Sequence, residues 1–476
     1  MDPESTRTLE ELASFFASHP SIALLSQFKN SVSFNALRRT FSNPHATPLA
    51  ILRPSNSEDV STAVSFLASS SISFTVRVSG HDMHSRSVVD GSVVLDLRLL
   101  NNVTVNEEKK IATIGGGTLV GDLLSALEPH GLVTPVGTVS SVGYVGWAMY
   151  GGYGPYSSVY GLGVDQIVGA RVVDATGQTV DADEELLRGI KGAGGAFGAI
   201  AEVEVRVYKL ESILAGTLFF DSTDLPTVLR DFNSAYNALT HSDTLEVPAA
   251  LNIFPAVLPS PPMPTPTFAL IVTWTSPDHS AGQEWINRVS TLSPSATATT
   301  NTVKETTPKT WADEVSKLVA ENVQGRMYTV SLRKVTEEVS DVIAHFTSPK
   351  VMPRDPALLF DMHELRSVSP SVSTSPKPEA DSVFVAREPH FVVEICAIAS
   401  DPGNLSAVLK WGEEFQSALR RTDKTNILPA SYISFLSRKE MGRDLDLVFG
   451  QHLPFLRELK GRLDPGNVFR AAISNL

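Results

Sequence analysis

The chain has 476 residues, a formal net charge of −13, and a content of 42% hydrophobic and 19% charged residues. This length exceeds one ordinary core and suggests roughly three structural units of about 150 residues each, while the composition is typical of a globular protein. The negative charge argues against nucleic-acid binding, because phosphates require a basic face, and it disfavours binding to an anionic membrane.

The cysteine content and the N-terminal sequence indicate the cellular compartment in which the protein is expected. Cys396 is the single cysteine, so the chain can form neither an intrachain disulfide nor a thiolate metal cluster. The N-terminal segment contains acidic residues and no apolar run of signal-peptide length, and no apolar stretch reaches the roughly 18 residues of a spanning helix. The sequence predicts an intracellular, cytoplasmic protein.

In chain order, the first part of the sequence predicts short strands and helices separated by glycine turns. The hydrophobic patterns and turn signals predict a helix at 57–69, strands at 72–80, 91–100 and 109–117, a helix at 118–131, a hairpin at 169–180 and a strand at 198–208. Residues 40–208 are therefore expected to form an α+β unit.

Beyond Lys209 the composition changes. Strands are predicted at 267–274 and 390–399 and a helix at 404–421, and Asp464-Pro465-Gly466 stops a terminal helix. The intervening segments 258–267, 295–310 and 367–381 are rich in Pro, Ser and Thr, and we expect them to be long exposed loops on a second α+β domain.

Three glycine-rich runs mark a candidate ligand site. They are 115–117, 190–200 and, most densely, 137–166, which contains Gly143, Gly146, Gly151, Gly152 and Gly154. Glycine allows backbone N–H groups to approach an extended anion such as a diphosphate. Neither a G-x-G-x-x-G fingerprint in a strand–helix context nor a G-K-[ST] phosphate loop is present. Three such runs favour a large flavin nucleotide.

Four stretches carry a resemblance to a known family: 76–101, 137–177, 190–200 and "LDPGNVF" at 463–469. Together they resemble the berberine-bridge-enzyme-like branch of the vanillyl-alcohol-oxidase flavoprotein superfamily, which has a PCMH-type FAD-binding domain. The match covers most of 45–208 and the last forty or so residues, whereas the middle of the chain has diverged.

The resemblance implies an α+β fold. Its FAD-binding domain is expected at 1–208, a substrate-binding domain with an antiparallel sheet covered by helices at 209–425, and a C-terminal segment returning to the FAD-binding domain at 426–476.

The family's R-S-G-G-H run corresponds here to Arg77-Val78-Ser79-Gly80-His81. In the family this histidine is bonded to the 8α-methyl carbon of FAD, so the resemblance assigns that role to His81. A covalent histidyl bond anchors the ring and raises its redox potential. His84 lies three places out of register, and the alternative is a His81 that only caps a turn.

The stretch 137–177 departs from the family at two positions, Val139 and Tyr150, and a third departure lies at Ser434. Val139 occupies the position of a cysteine that forms a second flavin bond in many members, so a single covalent link through His81 is expected. Val142 lies where a side chain admits or excludes dioxygen, and valine suggests access. Tyr150 replaces a glycine of the L-G-G-G-Y-G run, and Ser434 replaces the asparagine of a Y-x-N-Y motif that begins at Tyr432.

The resemblance implies that FAD contacts residues from three of the four matched stretches. These are Arg77, Val78, Ser79, Gly80, His81, Asp82, Gly137, Thr138, Val142, Gly143, Gly146, Tyr150, Gly151, Gly152, Gly154 and Ile200.

A proton acceptor should project over the flavin from the second domain. The segment 387–400 resembles the family's flavin-facing strand, and a period of two places His390, Glu394 and Cys396 on one face. His390 and Glu394 are the candidate bases, because apolar neighbours would raise a carboxylate's pKa, although Glu394 is equally consistent with a solvated edge-strand residue. Tyr153 and Tyr432 are further candidates. No metal is expected, since neither an H-E-x-x-H motif nor clustered Asp/His spacing occurs.

The resemblance implies an FAD-linked oxidase of a small organic molecule, active in secondary metabolism, that transfers hydride to flavin N5 and is reoxidised by dioxygen to hydrogen peroxide. The alternative is a cyclase that uses the flavin pocket for oxidative cyclisation or cycloaddition. A non-catalytic flavin-binding protein would leave the attachment motif without a purpose.

Overall fold

The computed structural model describes residues 2–42, 45–84, 86–242, 245–260, 265–292, 295–366 and 381–476. The α-helices are α1 Pro3–Phe16, α2 Ser31–Leu37, α3 Ser57–Ser69, α4 Val120–Leu127, α5 Tyr144–Met149, α6 Ser157–Tyr160, α7 Gly163–Gln166, α8 Glu184–Ala193, α9 Leu225–Thr240, α10 His279–Ser290, α11 Pro308–Ser316, α12 Glu337–Phe346, α13 Leu405–Leu419, α14 Arg438–Phe449 and α15 Leu453–Leu463.

The strands are β1 Ala23–Leu25, β2 Ala50–Arg53, β3 Phe74–Arg77, β4 Val93–Asp96, β5 Val103–Asn106, β6 Ile111–Gly115, β7 Leu132–Val133, β8 Ile167–Val173, β9 Thr179–Asp181, β10 Ala199–Arg206, β11 Tyr208–Lys209, β12 Ile213–Phe220, β13 Leu251–Ser260, β14 Thr265–Trp274, β15 Ala298–Asn301, β16 Lys304–Thr306, β17 Gln324–Leu332, β18 Leu359–Leu365 and β19 His390–Ala399.

Two sheets and a short ribbon form the first part of the molecule. One sheet has the order β1-β2-β4-β3, in which β4 runs parallel to β2 and β3. The other has the order β5-β6-β10-β8-β9 and is antiparallel, and β7 pairs with β11. The predicted helix at 57–69 and the hairpin at 169–180 are both confirmed, as α3 and as β8–β9.

Helix α3 shows why the local sequence determines its element. The side chain of Asn56 accepts a hydrogen bond from the Asp59 N–H and so caps the helix. Val60, Val64 and Leu67 follow at helical spacing and are buried against the first sheet. These side chains form one face of α3, and their removal from water stabilises the packing of the helix on the sheet that contains β3.

A larger antiparallel sheet follows, with the order β15-β12-β14-β13-β18-β19-β17 and with β16 also paired to β12. Strand β19 is an inner strand and is buried on both faces. Its odd-numbered residues, such as Val393 and Ile395, belong to the core that contains Phe232 of α9 and Trp411 of α13. The even-numbered residues form the opposite face, which is turned toward Tyr153. The predicted alternation is therefore confirmed.

The last helices return to the first part of the chain. Leu459 of α15 lies against Gly189 of α8, and the Lys460 ammonium donates a 2.6 Å hydrogen bond to the Ala196 carbonyl. This brings Tyr432, which precedes α14, into the same cluster as Tyr153. The C-terminal segment thus helps to close the site.

Two of the three predicted loops are wrong in part. Residues 258–260 and 265–267 extend the β13–β14 pair, and 298–301 and 304–306 form β15 and β16, which pair with β12. Partner strands stabilise these threonine-rich segments despite their loop-like composition. Segment 367–381 lies outside the described residues except for Asp381. Among the described helices, none is both long and apolar enough to cross a membrane.

Candidate active site

The first part of the candidate site is the turn that follows β3. Arg77 ends the strand, is buried, and pairs with Asp96 at the end of the neighbouring parallel strand. Gly80 then adopts a φ of +81°, and a Cβ there would lie 2.9 Å from Arg77 Nη2. Positive φ and this contact both favour glycine, so Gly80 allows the chain to turn closely over Arg77.

His81 emerges from this turn toward the glycine-rich run. Its ring stacks on Phe41 with 5.0 Å between centroids, and its Nε2 lies 2.8 Å from Ser141 Oγ. Burial and the nearby Arg77 charge lower the pKa of His81 to about 4. The imidazole is therefore neutral at physiological pH, which leaves a ring nitrogen lone pair able to bond to carbon.

His84 has different surroundings. Burial and the nearby Arg86 charge lower its pKa to about 4, and it interacts electrostatically with Arg326 and Glu440. Arg326 and Glu440 form an ion pair of 2.6 Å between β17 and α14. The structure thus separates the environments of the two histidines that the sequence offered.

Ser79 joins the turn to the glycine-rich run. Its Oγ accepts hydrogen bonds from the Gly143 N–H at 3.0 Å and from the His81 N–H at 3.4 Å. A Cβ on Gly143 would lie 2.8 Å from Val78. The two predicted cofactor runs are therefore in direct contact, and glycine at 143 is required for it.

The rest of the glycine-rich run is also shaped by close approach. Gly151 and Gly152 have φ of +125° and +76°, and a Cβ on Gly154 would lie 2.0 Å from the Val136 carbonyl oxygen. A Cβ on Gly137 would approach the Trp147 indole at 3.2 Å. Thr138 and Val142 are half-buried in the loop. These glycines are needed by the protein's own packing.

Asp82 organises the segment beyond His81. Its carboxylate accepts hydrogen bonds from the backbone N–H groups of His84 at 3.0 Å and Ser87 at 2.8 Å, and also from that of Arg86. The Arg86 guanidinium lies 5.6 Å from the centre of the Tyr150 ring. Tyr150, in turn, lies against Gly194. The unusual tyrosine therefore packs between Arg86 and the third glycine run.

Several features of these loops fit a bound FAD. A Cβ on Gly146 or on Gly195 would meet no protein atom within 4 Å, so packing in the chain does not account for these two glycines. Buried Arg77 Nε and Arg86 Nη1 have no hydrogen-bond partner, as expected of donors that face an anionic group. Ile200 lies on β10, and its carbonyl oxygen would be 2.0 Å from a Cβ on Gly116.

The second part of the candidate site is the even-numbered face of β19 with its neighbours on β18 and β17. Glu394 is directly opposite Asp361 on one side and Thr329 on the other. His363 Nε2 lies 3.0 Å from Glu394 Oε1. Polar atoms of Asp361, His363 and Glu394 all lie within 4.8 Å of one another. Spacing along the sequence did not predict this cluster.

Burial determines the protonation of this cluster. It raises the pKa of Glu394 to about 8 and lowers that of His363 to about 4. Burial, and then the Glu394 charge, raise the pKa of Asp361 well above its ordinary value. The contact between His363 and Glu394 is therefore a neutral hydrogen bond at pH 7 rather than an ion pair. Glu394 is 9% exposed on an inner strand, so the solvated edge-strand alternative is wrong.

Two tyrosines cover this face from the FAD-binding side. The Tyr153 hydroxyl lies 2.8 Å from His390 Nε2, and His390 Nδ1 donates a 2.7 Å hydrogen bond to the Glu388 carbonyl. Because Nδ1 carries the proton, Tyr153 donates its own to Nε2. The Tyr432 ring meets the Tyr153 ring edge-on at 5.0 Å. Both His390 and Tyr153 are buried, at 1% and 4% exposed.

Sequence reasoning missed Asp361, His363, Thr329 and Phe254. Phe254 of β13 contacts the His363 ring edge-on at 3.8 Å. The "LFDMHEL" segment at 359–365 predicts a half-buried strand, because Asp361 and His363 alternate with apolar residues. Their pairing with Glu394, however, depends on the register of β18 against β19.

Comparison with known proteins identifies the first part of the site. Residues 48–183 match the family model described as an FAD-binding domain. The FAD-linked oxidoreductase aurO from Gibberella zeae is 28% identical over 449 residues, which cover 93% of this chain and 83% of that protein.

Solved structures share the fold. The 6-hydroxy-D-nicotine oxidase from Arthrobacter nicotinovorans superimposes with a TM-score of 0.79 at 21% identity, covering 94% of this chain and 96% of that one. The Physcomitrella patens BBE-like 1 protein gives 0.78 at 19% identity, with coverages of 96% and 97%.

A further solved structure is the glucooligosaccharide oxidase from Acremonium strictum, described with 6-S-cysteinyl, 8α-N1-histidyl FAD. It gives a TM-score of 0.76 at 17% identity, with coverages of 95% and 96%. The chain thus contains an FAD-binding domain, is an FAD-dependent oxidoreductase, and shares the fold of these flavin-dependent and BBE-like proteins.

Proposed function

We propose that the protein is an oxidase of a small organic molecule in secondary metabolism, with FAD attached covalently through His81 alone. The observation that carries the proposal is the buried Glu394, whose pKa of about 8 suits a proton acceptor near neutral pH. It lies on a sheet face that Tyr153 and Tyr432 of the FAD-binding side cover.

Each part of the chain has a distinct task in this proposal. FAD, held by the turn after β3 and the glycine-rich run, would supply the hydride acceptor, and its reoxidation by dioxygen would yield hydrogen peroxide. Glu394 takes the proton from the substrate group next to the oxidised carbon. Tyr153 orients the substrate, and His390 positions Tyr153. Tyr432 forms the adjoining wall.

The attachment proposal rests on two contacts and one substitution. Ser141 engages Nε2 of His81, so Nδ1 is the nitrogen available to the flavin. His81 is neutral, as attachment requires. Val139 offers no thiol for a second bond. In this proposal, 1–208 forms the FAD-binding domain, 209–425 forms the substrate-binding domain, and 426–476 is the segment that returns to the FAD-binding domain.

Peroxide formation tests the function. The purified holoprotein is mixed with a panel of small alcohols, amines and phenols in air, and peroxide is measured; the same mixtures under nitrogen should bleach the flavin absorbance. Peroxide and bleaching with the same compounds support the oxidase. A product that has a new ring and an unchanged mass, without peroxide, would instead establish the cyclase.

A further inference from the structure

The cluster of Asp361, His363 and Glu394 contains buried polar atoms without partners. Asp361 is 9% exposed, and its Oδ1 has no hydrogen-bond partner. Thr329 Oγ1, opposite Glu394 in the sheet, is also buried and unpartnered. Buried polar groups are nearly always satisfied in native proteins, so these atoms indicate a site completed by a ligand that forms hydrogen bonds with them.

Charge defines this ligand further. Within the described part of the chain, no lysine or arginine forms an ion pair with Asp361 or Glu394, and the one basic side chain in contact is His363. Ionising both carboxyls without a cation would place two negative charges side by side in a buried site. A ligand carrying one positive charge and several N–H donors would offset that repulsion and satisfy the open acceptors.

The walls of the site add an aromatic component. Phe254 lies 3.8 Å from the His363 ring, and Tyr153 lies 6.2 Å from it, measured between ring centres. Tyr432 stands edge-on to Tyr153. Aromatic faces attract cations and bind apolar groups next to them, so the walls are suited to an ammonium flanked by hydrocarbon.

We propose that Asp361 and Glu394 bind the protonated amino group of a small amine, so that the substrate class of this enzyme is a primary or secondary amine with an apolar or aromatic substituent. This inference rests on the proposed oxidase function. An ammonium N–H bond breaks and its proton passes to Glu394. The adjacent C–H bond then gives a hydride to the flavin, a C=N bond forms, and dioxygen removes the two electrons as hydrogen peroxide.

Proton linkage follows from the surroundings of Glu394. The titratable groups that face Glu394 are Asp361 and His363 on β18, Cys396 on the same strand, and Tyr432. The charge of Arg86 acts on Tyr432, but Arg86 is already paired with Asp82. Glu394 is protonated below about pH 8, whereas an ammonium requires its carboxylate. Binding of the cation must therefore release a proton to the solvent.

Calorimetry with probes that cannot be oxidised tests the inference separately from turnover. Suitable probes are 2-phenylpropan-2-amine and its neutral counterpart 2-phenylpropan-2-ol, with tert-butylamine and tert-butanol as a smaller pair. None has a hydrogen on the carbon that bears the heteroatom. Titration of the holoprotein in two buffers of different ionisation enthalpy gives the affinity and the number of protons released.

We expect one of the amines to bind at least about tenfold more tightly than its alcohol and to release about one proton at pH 7. Its affinity should rise by up to about tenfold per pH unit until pH 8 is reached. Glu394→Gln should abolish the proton release, and Asp361→Asn should weaken amine binding by about tenfold. Thr329→Val removes a hydroxyl of the site but no carboxyl, so it should keep the proton release and weaken amine binding by less than Asp361→Asn does.

Three results would overturn the inference. They are equal or tighter binding of the alcohols, no saturable binding of either amine, and proton release that persists in Glu394→Gln. A stoichiometric metal ion in the purified protein that is lost in Glu394→Gln would also overturn it, because the cluster would then be a metal site. Amine binding without any peroxide formation would support the inference and refute the oxidase function.

Discussion

The turn after β3 and the polar face of β19 both carry buried polar atoms without partners, but the chemistry of those atoms differs. In the turn they include the guanidinium donors Arg77 Nε and Arg86 Nη1, whereas on the sheet face they are a carboxyl oxygen of Asp361 and the hydroxyl of Thr329. Guanidinium donors suit an anionic cofactor, and carboxyl groups suit the cationic ligand proposed above. The difference teaches that the two regions are suited to partners of opposite charge.

The two regions also differ in the contacts that stabilise their conformation. The turn is stabilised locally by Asp82, which accepts from the Ser87 N–H, and by the positive φ of Gly80, and it is joined to the glycine-rich run by the hydrogen bond from the Gly143 N–H to Ser79. The sheet face is assembled from strands far apart in the sequence, and its polar groups are neutral because they are buried. The turn should therefore tolerate few substitutions without losing the cofactor, while the sheet face should tolerate neutral ones and lose only chemistry.

The largest expected effect concerns the turn. His81→Ala removes the imidazole that we propose is bonded to FAD, so flavin should no longer remain with the protein after acid precipitation. Mass spectrometry of the wild-type protein should give one flavopeptide, which contains residue 81. The control is His84→Ala, which should keep the bound flavin because His84 lies toward Arg326 and Glu440. Covalent flavin in His81→Ala would refute the assignment.

The next effect concerns the sheet face. Glu394→Gln keeps the shape of the side chain but removes the proton acceptor, and loss of a positioned base slows reactions by about 100- to 10,000-fold. We expect anaerobic flavin reduction, followed by stopped-flow absorbance, to slow by at least the lower factor. Thr329→Val, which removes a hydroxyl of the same face but no proton acceptor, should slow flavin reduction by less than Glu394→Gln does. His390→Asn should have the smaller effect, since His390 acts through Tyr153; a larger effect there would make His390 the base.

These two regions were predictable to different extents. The glycine-rich runs and the turn before His81 could be located because short motifs mark them, while the role of His81 comes from the family resemblance of those motifs and stays a prediction. Glu394 could be placed on its face because strand alternation has a fixed period. Asp361 and His363 could not be placed, since the register between β18 and β19 is a tertiary property. For the same reason the pairing of β15 and β16 with β12 overrode their loop-like composition.

A third prediction concerns stability and pH. The folded pKa of Glu394, about 8, exceeds the ordinary value of 4.5, so the unfolded chain loses its proton first as the pH rises. Wild-type stability should therefore fall between about pH 4.5 and pH 8 relative to Glu394→Gln, by a few kcal/mol in total. Asp361 contributes in the same direction in both proteins. Denaturant unfolding at pH 5 and pH 8 measures the difference, and a constant gap would show that Glu394 is ionised in the folded state.

The smallest effect returns to the turn. Ser79→Ala removes the acceptor for the Gly143 N–H, which lies 3.0 Å away, and a lost hydrogen bond of this kind costs about 1 kcal/mol. We expect denaturant unfolding to show that loss, together with slower incorporation of FAD, because the contact aligns the two cofactor runs.

Ser141→Ala is the matched control. Ser141 is exposed and contacts the His81 ring, so its loss should leave stability within about 0.5 kcal/mol of the wild type. It should still slow covalent attachment, because the His81 ring is then free to rotate. Equal stability losses in both variants would mean that the hydrogen bond between the two runs does not hold the turn.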